Sequence, residues 1–236
     1  MPNSDAHIVR SYSEELQNIS ALVAKMGGLA ETILTDAITA LVKRNADLST
    51  QAIQADKRVD SLDAEIEHQV VRTLALRQPM AVDLRSIISA LKIAQSLERI
   101  ADHAKNGAKR ALAINQSPPM DATRGIVRLS DVAREMLRSV LDAYVNSDAE
   151  GAVKVRDRDE DLDVLYDGYF RECLTYMMEE NRNITAATHL LFIAKNIERI
   201  GDHCTNIAEN VYYMQTGERL STARPKGEDA MGLKAE

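Results

Sequence analysis

Tryptophan is absent from this chain of 236 residues, and phenylalanine occurs only twice. Glycine and proline are scarce too, at ten and five residues, which leaves little material for the turns of a many-stranded β fold. The apolar content comes instead from Ala, Leu, Ile and Met, which favour long helices. The two cysteines, Cys173 and Cys204, lie far apart and outside any CxxC spacing. A disulfide framework and a zinc ribbon are thereby excluded, and free buried thiols in a reducing compartment are expected. No run reaches the roughly 18 apolar residues of a membrane span. The polar start Met1-Pro2-Asn3-Ser4-Asp5 has no basic segment leading into an apolar one, so the protein reads as cytoplasmic. Positive charge is in deficit: 29 Lys+Arg against 36 Asp+Glu gives a net charge of −7. There is no surplus to neutralise phosphates, which excludes a general nucleic-acid binder. The sequence also lacks a GxxxxGK[ST] loop, a GxGxxG turn, HExxH and GxSxG. The Glu-x-x-His pair of di-iron carboxylate enzymes is missing, because Ala101 and Gly201 stand three residues after Glu98 and Glu198.

What is present is apolar periodicity at three-four spacing, the signature of helices in a bundle. One stripe runs Leu16, Ile19, Val23, Met26, Ala30, Ile33, Ala37, Ala40. After a break and cap at Asn45 to Ser49, a second runs Ala52, Ala55, Val59, Leu62, Ile66, Val70, Leu74 and ends at Gln78-Pro79. The third is Ile87, Ala90, Ala94, Leu97, Ala101, Ala104, Ala108, Ala111. Pro118-Pro119 marks a boundary. Beyond it come Ile126 to Ala143, then Leu162, Leu165, Tyr169, Cys173, Tyr176, then Phe192, Ala194, Ile197, Gly201, Ile207. The expectation is an all-α protein of six helices in two tandem three-helix bundles, residues 1–116 and 117–215, with a disordered tail at 216–236. An internal repeat supports it. Ile93 to Asn106 and Ile193 to Asn206 are identical at eight of fourteen positions at an offset of 100, and Val59, Leu62 and Ile66 match Leu162, Leu165 and Tyr169 at an offset of 103.

The repeat carries paired acids: Glu98 with Asp102, Glu198 with Asp202, Asp56 with Asp60, and Asp159 with Asp163. At i, i+4 each pair shares a helix face, with Cβ atoms about 5–6 Å apart. The second and third helices of each set are antiparallel neighbours, so residues equidistant from their turn are level. Asp60 with Glu98 and Asp56 with Asp102 centre on Pro79; Asp163 with Glu198 and Asp159 with Asp202 centre beside Glu180. Four acids should converge at the edge of each bundle, about 28 Å from its turn. A hard cation would relieve their repulsion: Mg²⁺, Mn²⁺, Ca²⁺ or ferric iron. The alternative is a solvated edge neutralised by Arg58, Arg99, Arg158 and Arg199. His103 and His203 point about 100° away from their aspartates and suit solvent or an interhelical hydrogen bond better than ligation. Asn106 and Asn206 continue the acidic line, either as outer-shell groups or as capping contacts. His7, His68 and His189 have no partner in a ligand spacing and read as surface or packing residues.

At these residues the sequence resembles the PhoU family of phosphate-transport and phosphate-signalling regulators. The match consists of Glu98-Arg99-Ile100-Ala101-Asp102-His103 and Glu198-Arg199-Ile200-Gly201-Asp202-His203. Asp56-x-x-Val59-Asp60-x-Leu62, Asp159-x-x-Leu162-Asp163-x-Leu165, Arg77-Gln78-Pro79 and Asp83-Leu84-Arg85 join it, so the likeness spans roughly residues 8–215. The departures are Ala101 against Gly201 and Ala104 against Cys204. The resemblance implies a homodimer whose acids bind metal ions: iron, zinc, manganese or magnesium. It also implies a negative regulator linking the ATPase subunit of a phosphate ABC transporter to a phosphate-sensing histidine kinase. The competing expectation is a metal-dependent hydrolase or oxidase using the same carboxylates.

Overall fold

The structure is a computed structural model that describes the backbone of residues 4–220 and the side chains of residues 12–220. His7 and residues 221–236 of the expected tail lie outside this range for side-chain description. Seven α-helices make the fold, with no strand among the described residues: α1 (Ser4–Lys43), α2 (Ala46–Arg77), α3 (Ala81–Ile114), α4 (Thr123–Asn146), α5 (Ala149–Asp157), α6 (Asp159–Glu179) and α7 (Ile184–Thr216). A 3₁₀ turn at Asn181–Asn183 joins α6 to α7.

The helices stop where the sequence provides stops. Asn45 caps α2 by accepting from the Leu48 N–H at 3.0 Å. Gln78, at φ 48°, closes α2 in the left-handed region just before Pro79. The chain between Ile114 and Thr123 holds Pro118-Pro119, and Arg44 from the end of α1 ties it down by donating to the carbonyls of Asn115 and Ser117 at 2.8 and 2.5 Å.

The first set, α1 to α3, matches its expected stripes. Val23, Met26, Ile33, Val59, Ile66, Leu97 and Ile100 are all buried, each such side chain contributing about 1.5–3 kcal/mol relative to exposure. The second set departs from the expected three helices. Its middle member is broken at Arg158 into α5 and α6, with Asp148 capping α5 on the Gly151 N–H at 2.9 Å. Residues 149–157 carry only Ala152 and Val155 into the core, too few positions to show a stripe in the sequence. Two stripe residues also face outward: Leu165 is 37% and Phe192 48% exposed, and Ile193 takes the core position on α7 instead.

The two sets share one continuous apolar core. Their central contact is between α3 and α7. Contacts of His103 with Asn196 and of Arg110 with Phe192 and His189 show the two helices running antiparallel. The His103 and His203 rings, repeat equivalents, stack on each other at 5.6 Å between centroids. A pseudo-twofold axis therefore passes between them.

Candidate functional site

Each acidic cluster forms where the middle helix of a set faces its third helix. In the first set, Asp56 of α2 and Asp102 of α3 share one cation. The Lys105 ammonium donates to Asp56 Oδ2 at 2.5 Å and to Asp102 Oδ1. Asp56 is buried, so its charge is carried by that lysine. Burial alone would raise the Asp102 carboxyl; the Lys105 ammonium outweighs it and holds Asp102 below its ordinary range, while the two carboxylates raise Lys105. Toward solvent lie Asp60, Asp63 and Glu98, on one open cleft of about 700 Å³. Glu98 is pushed up by burial and then by Asp102, with Asp63 and Asp60 adding to it. Asp63 is likewise raised by burial and by its neighbours Glu67 and Asp60, and its buried Oδ1 has no hydrogen-bond partner.

The second set gathers Asp163, Glu198 and Asp202. Burial and the charges of Glu198 and Asp202 push the Asp163 carboxyl up to about 6. Lys195 donates to Glu198 Oε1 at 2.7 Å, yet burial still raises Glu198, whose Oε2 is buried without a partner. Asp159 stands first in α6, next to the break, with Oδ1 facing Gly201; an added Cβ there would lie 3.0 Å from Oδ1 and 2.4 Å from Leu162 Cδ2. At the equivalent position of the first set Ala101 is fully buried, whereas the glycine at 201 leaves room for Leu162 and Asp159 of α6.

Of the level pairings expected from the sequence, Asp56 and Asp102 share Lys105, Asp60 acts on Glu98, and Glu198 acts on Asp163, while Asp159 lies beside Gly201. The neutralising cations are in part the expected arginines, since Arg99 acts on Glu98 and Asp102 and Arg199 on Glu198, joined by Lys105 and Lys195. Arg99 does reach Glu98 and Asp102, at 3.3 and 3.7 Å, but Arg158 pairs with Glu135 at 2.8 Å. The residues sequence reasoning missed are Asp63, Lys105 and Lys195. Each sits three residues from a motif acid, the spacing of helix-surface neighbours, which was the available signal. The repeats also diverge in concert: Gln95 and Asp63 in the first become Lys195 and Tyr166 in the second, where the ammonium lies 5.2 Å above the Tyr166 ring.

The two histidines bind across the repeat interface, as an interhelical hydrogen bond would have it: His103 Nδ1 is 2.9 Å from Asn196 Oδ1. Burial lowers both imidazoles, and the His203 Nδ1 has no partner. The two asparagines are crossed between repeats. Asn206 of α7 lines the cleft of Asp60, Asp63 and Glu98, and Asn106 of α3 lines the cleft that holds Lys195.

Among the described residues no three His, Cys, Asp or Glu side chains stand in a ready-made ligand arrangement. The chemistry of the donors nonetheless fits a hard cation. They are carboxylate oxygens, several are raised by burial and then by one another, Asp63 Oδ1 and Glu198 Oε2 are buried without a partner, and a lysine ammonium supplies a positive charge in each cluster. Cys173 and Cys204 are buried free thiols, with burial raising the Cys173 thiol to about 11, so neither is a thiolate donor at neutral pH. No helix among the described residues is long and apolar enough to cross a membrane.

Comparison with known proteins places these features in context. The family model for the PhoU domain matches twice, over residues 23–111 and 126–211. The chain is 51% identical over 221 residues to the phosphate-specific transport system accessory protein PhoU homolog of Caulobacter vibrioides (strain NA1000 / CB15N), covering 93% of this chain and 96% of that protein. It is 47% identical over 224 residues to the protein of the same description from Rhizobium meliloti (strain 1021), covering 94% of each. The crystal structure of PhoU from Pseudomonas aeruginosa superposes with a TM-score of 0.84 at 35% identity, covering 88% of this chain and all of that one.

Proposed function

The chain belongs to the PhoU family, and from that premise we propose that it is an accessory protein of a phosphate-specific transport system that acts by contact on the cytoplasmic side. It restrains the phosphate-starvation response when phosphate is plentiful, binding the transporter's ATPase subunit and a phosphate-sensing histidine kinase, and it works as a homodimer. Support comes from relatives named as accessory proteins of a transport system rather than as enzymes.

Metal ions serve this role at the acidic clusters, held by Asp56, Asp60, Glu98 and Asp102 in the first repeat and Asp159, Asp163, Glu198 and Asp202 in the second. Asp63 adds a donor to the first. The observation that carries the metal reading is geometric: carboxylates from two helices meet in each cluster, and Asp63 Oδ1 and Glu198 Oε2 are buried without a hydrogen-bond partner. A bound cation gives these oxygens a partner. The protein's own part is to present oxygens from two helices and to supply Lys105 and Lys195 as internal cations when metal is scarce.

The experiment is a chromosomal deletion complemented with four alleles: wild type, two double variants and the quadruple variant that combines them. Wild type should restore repression of phosphate-starvation genes in high phosphate and co-purify the ATPase and the kinase. Glu98→Ala with Asp102→Ala should lose metal from the first cluster by elemental analysis, and Glu198→Ala with Asp202→Ala from the second. Normal phosphate control in the deletion strain would sink the regulatory role. Full repression by a folded, metal-free quadruple variant would sink the metal's part in it.

A further inference from the structure

The pseudo-twofold axis between His103 and His203 generates two related clefts along α3 and α7, and they have opposite character. One is the acidic cleft described above, whose cations are Lys92 and Arg99. Its counterpart, of about 560 Å³, is lined by Lys109 and Arg110 of α3 and by His189, Phe192, Lys195 and Arg199 of α7, with no carboxylate among the described residues lining it. Symmetry makes the divergence legible position by position. At an offset of 100, Lys109 stands where α7 has Glu209, Arg110 where it has Asn210, and Lys195 where α3 has Gln95. Arg199 and Arg99 are the same. Positive charge has been concentrated on one side of the axis in a protein whose net charge is −7. With Lys195 paired to Glu198, the charges of Lys109, Arg110 and Arg199 remain around one cleft and repel, which favours the protein holding an anion.

The side chains are also arranged to present that charge. The Arg110 guanidinium carbon lies over the Phe192 ring at 3.9 Å from its centroid, and Phe192 is half-exposed. The cation–π contact anchors the guanidinium in the cleft, and a guanidinium is suited to paired phosphoryl oxygens. Arg110 Nη1 lies 3.5 Å from His189 Nδ1, which steadies the same placement. This accounts for an aromatic residue outside the core at 192, the position that broke the expected stripe of α7. Lys195 is shared with Glu198, so Lys109, Arg110 and Arg199 carry the anion. Their spread over two helices, and a volume within the roughly 300–1,000 Å³ of small-molecule sites, exceed what one phosphate ion needs.

We propose that this cleft binds a polyphosphoryl anion, either inorganic polyphosphate or the phosphate tail of a nucleotide. The proposal does not depend on metal at the acidic clusters. The test is isothermal titration of the full, metal-free chain with inorganic phosphate, tripolyphosphate, ATP and adenosine, at low and at physiological ionic strength. Tripolyphosphate and ATP should each bind at one site, at least about tenfold tighter than inorganic phosphate, with affinity falling as salt rises. Equal affinity for the two assigns recognition to the phosphoryl chain, and tighter ATP with measurable adenosine binding assigns it to a nucleotide. Lys109→Gln with Arg110→Gln should weaken tripolyphosphate at least about tenfold, since each removes a charge-assisted contact. Lys92→Gln with Arg99→Gln removes the same charge from the symmetry-related cleft and should leave binding unchanged. No binding of tripolyphosphate to protein that circular dichroism shows to be helical overturns the proposal. So does equal weakening by the two double variants, which would mean general charge attraction.

Discussion

At the scale of single residues, the acidic clusters are held in check by two lysines. Lys105 neutralises the buried Asp56, so Lys105→Met leaves a carboxylate in the interior without its cation. The expected loss is about 2 kcal/mol in metal-free protein, read as a shift of the urea midpoint at neutral pH. Adding Asp56→Asn should recover most of it, because the charge that needed a partner is gone. An unchanged midpoint in the single variant would show that water, rather than the lysine, solvates Asp56. Asp163 behaves in the opposite way. Its carboxyl is raised from the ordinary 3.8 to about 6 by burial and by Glu198 and Asp202, so the folded protein holds that proton more tightly than the unfolded chain does. Stability from this group is therefore greatest at pH below about 4 and is lost as pH rises through 6. Asp163→Asn should stabilise the metal-free protein by about 1 kcal/mol at pH well above 6, after allowance for solvent screening, and by nothing at pH below about 4. Paired denaturation curves at the two pH values check the sign. The motif acids were legible in the sequence because i, i+4 spacing and level register are one-dimensional facts. The lysines were not, because an ammonium on a long flexible stem reaches whichever acid the tertiary packing leaves short of charge, and Lys105 and Lys195 stand on opposite sides of their motifs.

At the scale of elements, two glycines separate packing from propensity. Gly201 sits in α7 where an added Cβ would lie 2.4 Å from Leu162 Cδ2, and Leu162 is fully buried and has no space to retreat into. Gly28 sits in α1 with nothing within 4 Å of the same position. Gly201→Ala should therefore destabilise by roughly 1–2 kcal/mol despite the better helix former, and Gly28→Ala should stabilise by about 0.5–1 kcal/mol. Thermal melts of the two variants should move in opposite directions; a shift upward in both would mean that α6 yields to the new methyl. All six expected helices were readable as apolar stripes, with stops at Asn45, Gln78-Pro79 and Pro118-Pro119, and they fall on α1, α2, α3, α4, α6 and α7. The segment α5, which precedes the fifth stripe, was not readable, because it is nine residues long and buries two side chains, less than a stripe can display. Phe192 was misread for a different reason: an aromatic at helical spacing fits a core equally well whether it faces the core or a cation on the next helix.

At the scale of the whole molecule, the duplicated sequence was legible, but the way its halves meet was not, since repeats at an offset of 100 fit many mutual arrangements. The halves share a single core through α3 and α7. Heat or urea should therefore unfold the protein in one transition, with far-ultraviolet circular dichroism and the fluorescence of a probe placed on α4 changing together; two separated transitions would mean that each bundle stands alone. The stacked histidines also bear on how such a molecule arises. Two equivalent residues that touch across an axis have the geometry of an isologous contact, the kind that joins identical subunits of a symmetric dimer. In a dimer of identical subunits every substitution appears on both sides of the axis at once, so one face cannot turn basic while its mate turns acidic. Joined in a single chain, the two halves mutate separately. Lysine at 105 facing threonine at 205, and glutamine at 95 facing lysine at 195, are differences that only a fused pair can hold, and through them a symmetric scaffold came to carry two unlike surfaces.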